Sequence, residues 1–479
     1  MEKNVRLYSI HCIIALIIML SFSYLPTPEP ITSMGMHIIG VFFGAIYAWC
    51  TVGMIWSSIF ALVGLGLSGY CTVPTAFSLA AGNQTVLMVL FLMIFAAIIE
   101  QAGLSQRIAI WMISRPFNQG RPWLLSTMIL FAAWFLGMFA GLIPSILICW
   151  SIVYGIADAV ELKPGAKWVA VILCGIVFMA ATGCISVPFQ IGVVANYGFM
   201  TAATNGAYTY SYGAYLIFGV TMALAILFAY VLVCRFIFKP DIQSLKMYHV
   251  SQTSEPLNGL QKKAAFIFVL MLIVLMLPCI LPAGNGLKLF LEGTLGTTAC
   301  VAVVDGIAVM MLHEKKAFIN FSEMVFKGVS WDIIFMLAAA FTLANAVTSE
   351  GTGVSTFIIN LLTPIIGGKG TFAFIGLCLI ITVVLTNLIN NIVVSAIMIP
   401  VGVKVGMTFG IDPVVLTTLF ICVVDLGFLL PSSSPSGAML HGNPKWLSKR
   451  DIYLYTSSSI LLMLFISMFI GYPLASLLF

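Results

Sequence analysis

The stretch Thr386-Asn-Leu-Ile-Asn-Asn-Ile-Val-Val-Ser-Ala-Ile-Met-Ile-Pro400 decides how the rest of this chain is read. It lies inside an apolar run: from Thr371 to Val401 the strongly polar side chains are Thr371, Thr382, Thr386, Asn387, Asn390, Asn391 and Ser395, and most cluster near the middle. An amide at mid-bilayer with unpaired donors and acceptors costs roughly several kcal/mol, so these side chains must face protein, water or a ligand. One reading is glue between helices. The other is the tip of a re-entrant hairpin, two half-helices, Thr371 to Leu388 and Ile392 to Val405, meeting at a polar turn. Both halves fall short of the roughly 20 residues of a comfortable span, which favours the hairpin.

Composition sets the class. With 61% hydrophobic and 8% charged residues in 479, and a mean hydropathy of +1.12, the chain is expected to be an all-α polytopic membrane protein with no soluble domain left over. Its partners are then the lipid bilayer and a small solute, with no nucleic acid. The run Ile10 to Phe22 follows Lys3 and Arg6 but has no small-residue cleavage site before Pro26, so it reads as a retained helix. The 11 cysteines lie almost entirely in apolar runs without metal spacing and read as small packing residues.

Basic residues fix the expected topology. With the N-terminus cytoplasmic in a plasma membrane, about eleven crossing helices and two hairpins leave only Lys288, Lys369 and Lys404 outside and the other eighteen of 21 basic residues inside. The crossings are near 8–25, 33–50, 52–70, 84–101, 166–200, 213–236, 264–283, 292–312, from Trp331, 413–440 and 452–475; the hairpins are 123–160 and 371–405. This path puts Thr204 outside and Val250 inside. Trp111, Trp123, Trp168, Trp331 and Trp446 fall beside inner loops as an interfacial belt.

The halves repeat. Met93 to Ser105 is echoed from Met336 onwards, Gly103 maps to Gly353 at a shift of 250, and the polar tip maps onto Gly141-Leu142-Ile143-Pro144-Ser145. Ile185-Ser-Val-Pro-Phe-Gln190 corresponds to Leu430-Pro-Ser-Ser-Ser-Pro-Ser-Gly437, each breaking a span at mid-membrane. The expected organisation is scaffold helices over 1–83, a first repeat over 84–238 with its hairpin entering from inside, a cytoplasmic linker over 239–263, scaffold helices over 264–330, and a second repeat over 331–479 with its hairpin entering from outside. Opposed repeats of this kind are the signature of an alternating-access transporter.

The chemistry is expected where tips and breaks converge, since a break frees carbonyls for a cation and half-helix N-termini for an anion. Asn390, Asn391, Ser433, Ser434, Ser436 and Pro188 are the candidate substrate contacts. Thr386 and Asn391 are candidate ligands for a coupling ion, Na+, with no other cofactor expected. Asp425, read as lying within the tenth helix before the break, is a candidate for proton coupling. Asp305 and Glu100 read as structural, and His441 as interfacial. No nucleophile with a base and no metal cluster suggests an enzyme, and no phosphate-binding glycine loop suggests a pump.

These residues resemble the divalent anion/sodium symporter family, within the wider ion-transporter superfamily of dicarboxylate, citrate and arsenite carriers, over nearly the whole chain. The likeness rests on Glu100-Gln-Ala-Gly-Leu-Ser-Gln-Arg-Ile-Ala109, on Asn390-Asn391-Ile392 to Met398-Ile399-Pro400, and on Phe428-Leu-Leu-Pro-Ser-Ser-Ser-Pro-Ser-Gly437. Family tips carry Ser-Asn-Thr. The second tip here keeps the central Asn391 and the upstream Thr386, whereas Gly141-Leu142-Ile143 keeps nothing. The resemblance implies a homodimeric secondary carrier of a small anion, a di- or tricarboxylate, coupled to sodium or protons or working as an exchanger. Alternatives are a carrier of a sulfate-like or arsenite-like anion, and a channel, which re-entrant hairpins also allow.

Overall fold

The computed structural model describes residues 2–115, 118, 120–248, 256–282, 284–313, 316–366 and 370–479. Val250, Lys315 and Lys369, and the middle of the expected linker, lie outside the described residues. The chain opens with α1 (Glu2–Ser21), α2 (Ser33–Thr51), α3 (Ile55–Leu67) and α4 (Val73–Ala81). Then come α5 (Gln84–Gln101), α6 (Leu104–Ile113), α7 (Pro122–Ala140), α8 (Leu142–Ala159), α9 (Lys167–Cys184), α10 (Ile191–Ala203) and α11 (Tyr212–Val233). Next are α12 (Gly259–Ile280), α13 (Gly286–Leu289), α14 (Gly296–Met310), a strap of two paired two-residue strands, and α15 (Phe321–Gly328). The rest is α16 (Trp331–Thr348), α17 (Val354–Ile366), α18 (Gly370–Thr386), α19 (Asn391–Thr408), α20 (Pro413–Val424), α21 (Pro435–His441), α22 (Lys449–Ile466) and α23 (Tyr472–Leu478).

One succession occurs twice. A long helix (α5, α16) ends at a glycine, a short helix follows (α6, α17), then a helical hairpin (α7 with α8, α18 with α19), an interrupted helix (α9 with α10, α20 with α21) and a long helix (α11, α22). Gly103 and Gly353 start the short helices with φ of 66° and 69°, a left-handed conformation that glycine adopts without Cβ strain. Local chemistry sets the starts of the long helices. Asn83 accepts from the N–H groups of Thr85 and Val86 ahead of α5, Asp412 from Val414 and Val415 ahead of α20, and Ser448 with Asp451 forms a capping box ahead of α22.

The interrupted helices occupy the centre. Sixteen of the eighteen residues of α9 and all twelve of α20 are buried, whereas α1, α12 and α14 expose long apolar side chains at the rim. Helix α9 reaches α7 by close backbone approach: a Cβ on Gly183 would fall within 3.0 Å of the Trp134 carbonyl and Gly137, and one on Gly137 would meet the Ala180 carbonyl. Small residues at such crossings let helices pack where the hydrophobic effect between them is weak.

Among the described residues twelve helices are long and apolar enough to cross a membrane, so the chain is an all-α polytopic membrane protein. Several sequence expectations change. The third crossing, expected over 52–70, is the 13-residue α3, set between Gly53 (φ 149°) and Gly69 (φ 86°) and followed by a separately capped α4; at about 1.5 Å per residue it is shorter than the bilayer core. The second arm of the second hairpin runs on past Val405 to Thr408, because it ends only where Gly410 turns left-handed. Both arms of the first hairpin and this arm are as long as spanning helices. Trp168 and Trp446 are buried within the protein rather than exposed on its surface: the Trp168 indole N–H donates to Ser126 Oγ (2.9 Å), and Trp446 stacks on Tyr154.

Two outcomes are expected. Cysteines at Ala207 and Ser244, with the exposed Cys50 and Cys279 replaced, should react with an impermeant thiol reagent from outside and only after permeabilisation, respectively; the reverse pattern refutes the topology. Gly183→Val should lower the melting temperature of the detergent-solubilised protein, since overpacking against backbone costs roughly 1–3 kcal/mol, while Gly155→Val, which meets no neighbour, should shift it far less.

Candidate functional site

The second hairpin and the second break are woven together. Helix α18 ends at Thr386, the N–H groups of Leu388 and Ile389 fold back on the Leu385 carbonyl (2.9 Å each), and Asn390 starts α19 by accepting from the Ile392 N–H (3.0 Å). Helix α20 stops at Val424, and α21 restarts at Pro435 with Ser434 accepting from the Gly437 N–H. The end of α20 and the residues that follow present carbonyls with no helical partner, each costing about 1–3 kcal/mol if buried unpaired. The tip supplies the partners. Thr386 donates its hydroxyl to the Val424 carbonyl. Asn387 donates to the Leu426 carbonyl (3.1 Å) and accepts from the Leu429 N–H (2.9 Å). Asn391 donates to Asp425 Oδ1 (3.2 Å), while its own oxygen lies 2.8 Å from the Thr386 hydroxyl.

Within the break, Ser433 donates towards the Leu430 and Gly427 carbonyls (2.7 and 2.9 Å), and Ser434 and Ser436 pair at 2.8 Å. Gly427 makes the close approach possible, because a Cβ there would sit 2.5 Å from Asn391 Oδ1 and 2.6 Å from the Thr386 carbonyl.

The first half meets the same need from the other side. Its tip is the single residue Gly141 (φ 85°), without a side chain. The amide sits instead in the break, where Gln190 donates to the Gly137 and Met138 carbonyls (3.0 and 2.6 Å) near the end of α7. Trp134 donates to Ser186 Oγ (2.9 Å), Tyr215 to the Ile185 carbonyl (2.8 Å) and Tyr210 to the Pro188 carbonyl (3.1 Å). The halves touch at the centre. A Cβ on Gly192 would lie 3.5 Å from Asp425 Oδ2, and the Tyr197 and Thr418 hydroxyls pair at 2.5 Å.

A cleft of about 420 Å³ opens between the second break and the α2–α3 corner, lined by Asn390, Ser432, Ser433, Ser434, Trp49 and Met54 among others. The opening beside the first tip, about 400 Å³, is walled by apolar side chains including Phe139, Phe189 and Met276. Of the candidate substrate contacts, Asn390, Ser433 and Ser434 therefore line the polar cleft; Asn391, Ser436 and Pro188 do not, and Pro188 belongs to the first break, where its carbonyl accepts from Tyr210. Thr386 and Asn391 are bonded to each other, so a cation would enter there only by replacing that bond. Asp425 does not lie within a helix, as the sequence suggested, but caps the end of α20, because the break begins at that residue. His441 Nε2 lies 3.1 Å from the Leu429 carbonyl within the second break.

Asn387, Gln190 and Gly427 join hairpin and break although none was among the candidate site residues. The first two carried a usable signal, a carboxamide at an expected tip and at an expected break. Asn196 on α10 is 4% exposed, with Oδ1 unpartnered among the described residues. Among the described residues no group of three His, Cys, Asp or Glu side chains could hold a metal.

No curated protein matches the sequence. Two solved structures share the fold. The Alcanivorax borkumensis YdaH transporter, at 14% identity, aligns over 84% of this chain and 88% of its own with a TM-score of 0.58. Neisseria gonorrhoeae MtrF, described with a class of antimetabolite efflux pumps, also has 14% identity and a TM-score of 0.58, over 97% of this chain and 94% of its own. The model of CitMHS, the citrate transporter family, matches residues 44–422, from within α2 almost to the end of α20. This is a membrane transport protein rather than an enzyme, and it belongs to the CitMHS citrate transporter family.

Proposed function

We propose that the protein is a secondary active carrier of a small di- or tricarboxylate, working by alternating access as a homodimer, with its two hairpins re-entrant from opposite sides of the plasma membrane and its N-terminus cytoplasmic. The observation that carries this reading is the back-to-back meeting of two interrupted helices, each tied to its hairpin by side-chain hydrogen bonds. Free backbone dipoles at such a junction bind a solute from either side of the membrane without a fixed central cation. The positive end of α19 fits the same role, since its cap, Asn390, lines the polar cleft where a carboxylate would be received. The description of the family supports a carboxylate as cargo.

Coupling belongs to the second half. The first tip has no side-chain oxygen and Gln190 is spent on backbone, so the reading has a single coupling ion: a proton on Asp425, or one sodium near Thr386 and Asn391. Divalent anion/sodium symporters, with two polar tips, are the comparison from which this chain would depart.

In proteoliposomes, labelled citrate, succinate and malate should be tested under separate sodium and proton gradients. Saturable uptake with counterflow is expected, with a Hill coefficient near one for the coupling ion. Flux without counterflow would indicate a channel, and steep cooperative sodium dependence would exclude a single site. Asn391→Ala should reduce transport more than Ser433→Ala, because it removes the bond to Asp425 and the contact with the Thr386 hydroxyl, whereas water can replace a hydroxyl. Their effects on apparent affinity should couple by roughly 0.5–3 kcal/mol, since Asn391 packs against Gly427 and Ser433 donates to its carbonyl. Two well-folded variants with normal transport would move the binding site elsewhere.

A further inference from the structure

A separate pocket, of about 540 Å³, lies between the loop joining α10 to α11, the end of α12 and the α13–α14 segment. Its polar wall is made by Thr209, Ser211, Tyr212 and Thr297, and its cation is Lys288. Lys288 faces Glu292 at 4.0 Å, longer than a hydrogen bond, and the lysine side chain is 24% accessible against 52% for the glutamate. The carboxylate thus leans to solvent and the lysine is the more enclosed of the two. Lysine preceding glutamate is the weaker order for a pair four residues apart, and exposed pairs of this kind hold weakly. An incoming carboxylate therefore displaces Glu292 easily.

The second observation links this pocket to the first break. Tyr210 lines the pocket, and its hydroxyl donates to the Pro188 carbonyl (3.1 Å). Its ring stacks against Tyr212 on one hand (5.1 Å between centroids) and Tyr197 on the other (3.6 Å), and Tyr197 pairs with Thr418 of α20. One ladder of aromatic side chains therefore runs from the pocket to the junction of the two halves. The volume lies within the roughly 300–1,000 Å³ usual for small-molecule sites.

We propose that this pocket is a recruitment site for the carboxylate end of the transported anion, which exchanges Glu292 for itself on Lys288 before reaching the breaks. The proposal rests on the carrier reading for its cargo and on the sequence-derived topology, which puts Lys288 outside. Lys288 is then the positioning charge that sets external affinity, and Glu292 is its competitor.

The native thiol of Cys279 lines the same pocket and is exposed, which gives a readout independent of transport. In the full-length protein in proteoliposomes, an impermeant maleimide should label Cys279, followed by peptide mass spectrometry, with citrate, succinate or malate as protectant. Carboxylate should slow labelling in the parent protein. Lys288→Gln should abolish that protection and raise the external KM about tenfold with little change in kcat, as expected for loss of one charge-assisted contact. Lys288→Arg should keep both, and Glu292→Gln should give protection at lower concentration. Protection and KM unchanged in Lys288→Gln would overturn the proposal, as would uptake by the parent protein without protection. Protection without uptake of any of the three would sink the carrier reading and leave the pocket standing; neither protection nor uptake would overturn both.

Discussion

An interrupted helix in an apolar interior leaves carbonyl and N–H groups that neither lipid nor a neighbouring apolar side chain can satisfy. Everything near the centre of this protein answers that requirement. The breaks after α9 and α20 are held by side chains from the hairpins beside them, and the most buried helices are those that lead into the breaks. The two halves place the donors on opposite partners. In the second half Thr386, Asn387 and Asn391 stand on the tip and reach the break; in the first, Gln190 stands in the break and reaches the last turn of α7.

That reversal accounts for the bare Gly141 tip. The Gly137 and Met138 carbonyls are capped by Gln190 and that of Gly141 by the Ser145 hydroxyl one turn into α8 (2.6 Å), and the tight turn itself needs a glycine. The opening next to it is correspondingly apolar, while the opening beside the second tip is lined by serine hydroxyls and Asn390. Pairs of repeated elements can thus share a backbone plan while dividing the polar work unequally.

Much of this plan was legible in the residues. The polar cluster from Thr386 to Asn391 marked a turn because amides are expensive in hydrocarbon, and the correspondence of Gly103 with Gly353 marked the repeat. What stayed hidden were bonds whose second partner is backbone, as for Gln190 and Asn387, since a carbonyl has no letter of its own. Helix ends set by capping escaped too: α20 stops at Asp425 itself, and α19 runs on to Thr408. Trp168 and Trp446 misled for another reason, because an indole beside a basic residue fits an interface or a core equally well until its N–H finds an acceptor such as Ser126.

Gly427 has an evolutionary reach beyond its own position. The hydrogen atom it carries in place of a side chain is what lets the Asn391 carboxamide and the Thr386 carbonyl close on the break. Threonine, asparagine and glycine at these three places therefore form a heritable unit. A homologue with alanine at the glycine position has no room for this weave, and substitutions across the trio should arise together on one branch of the family tree rather than one at a time.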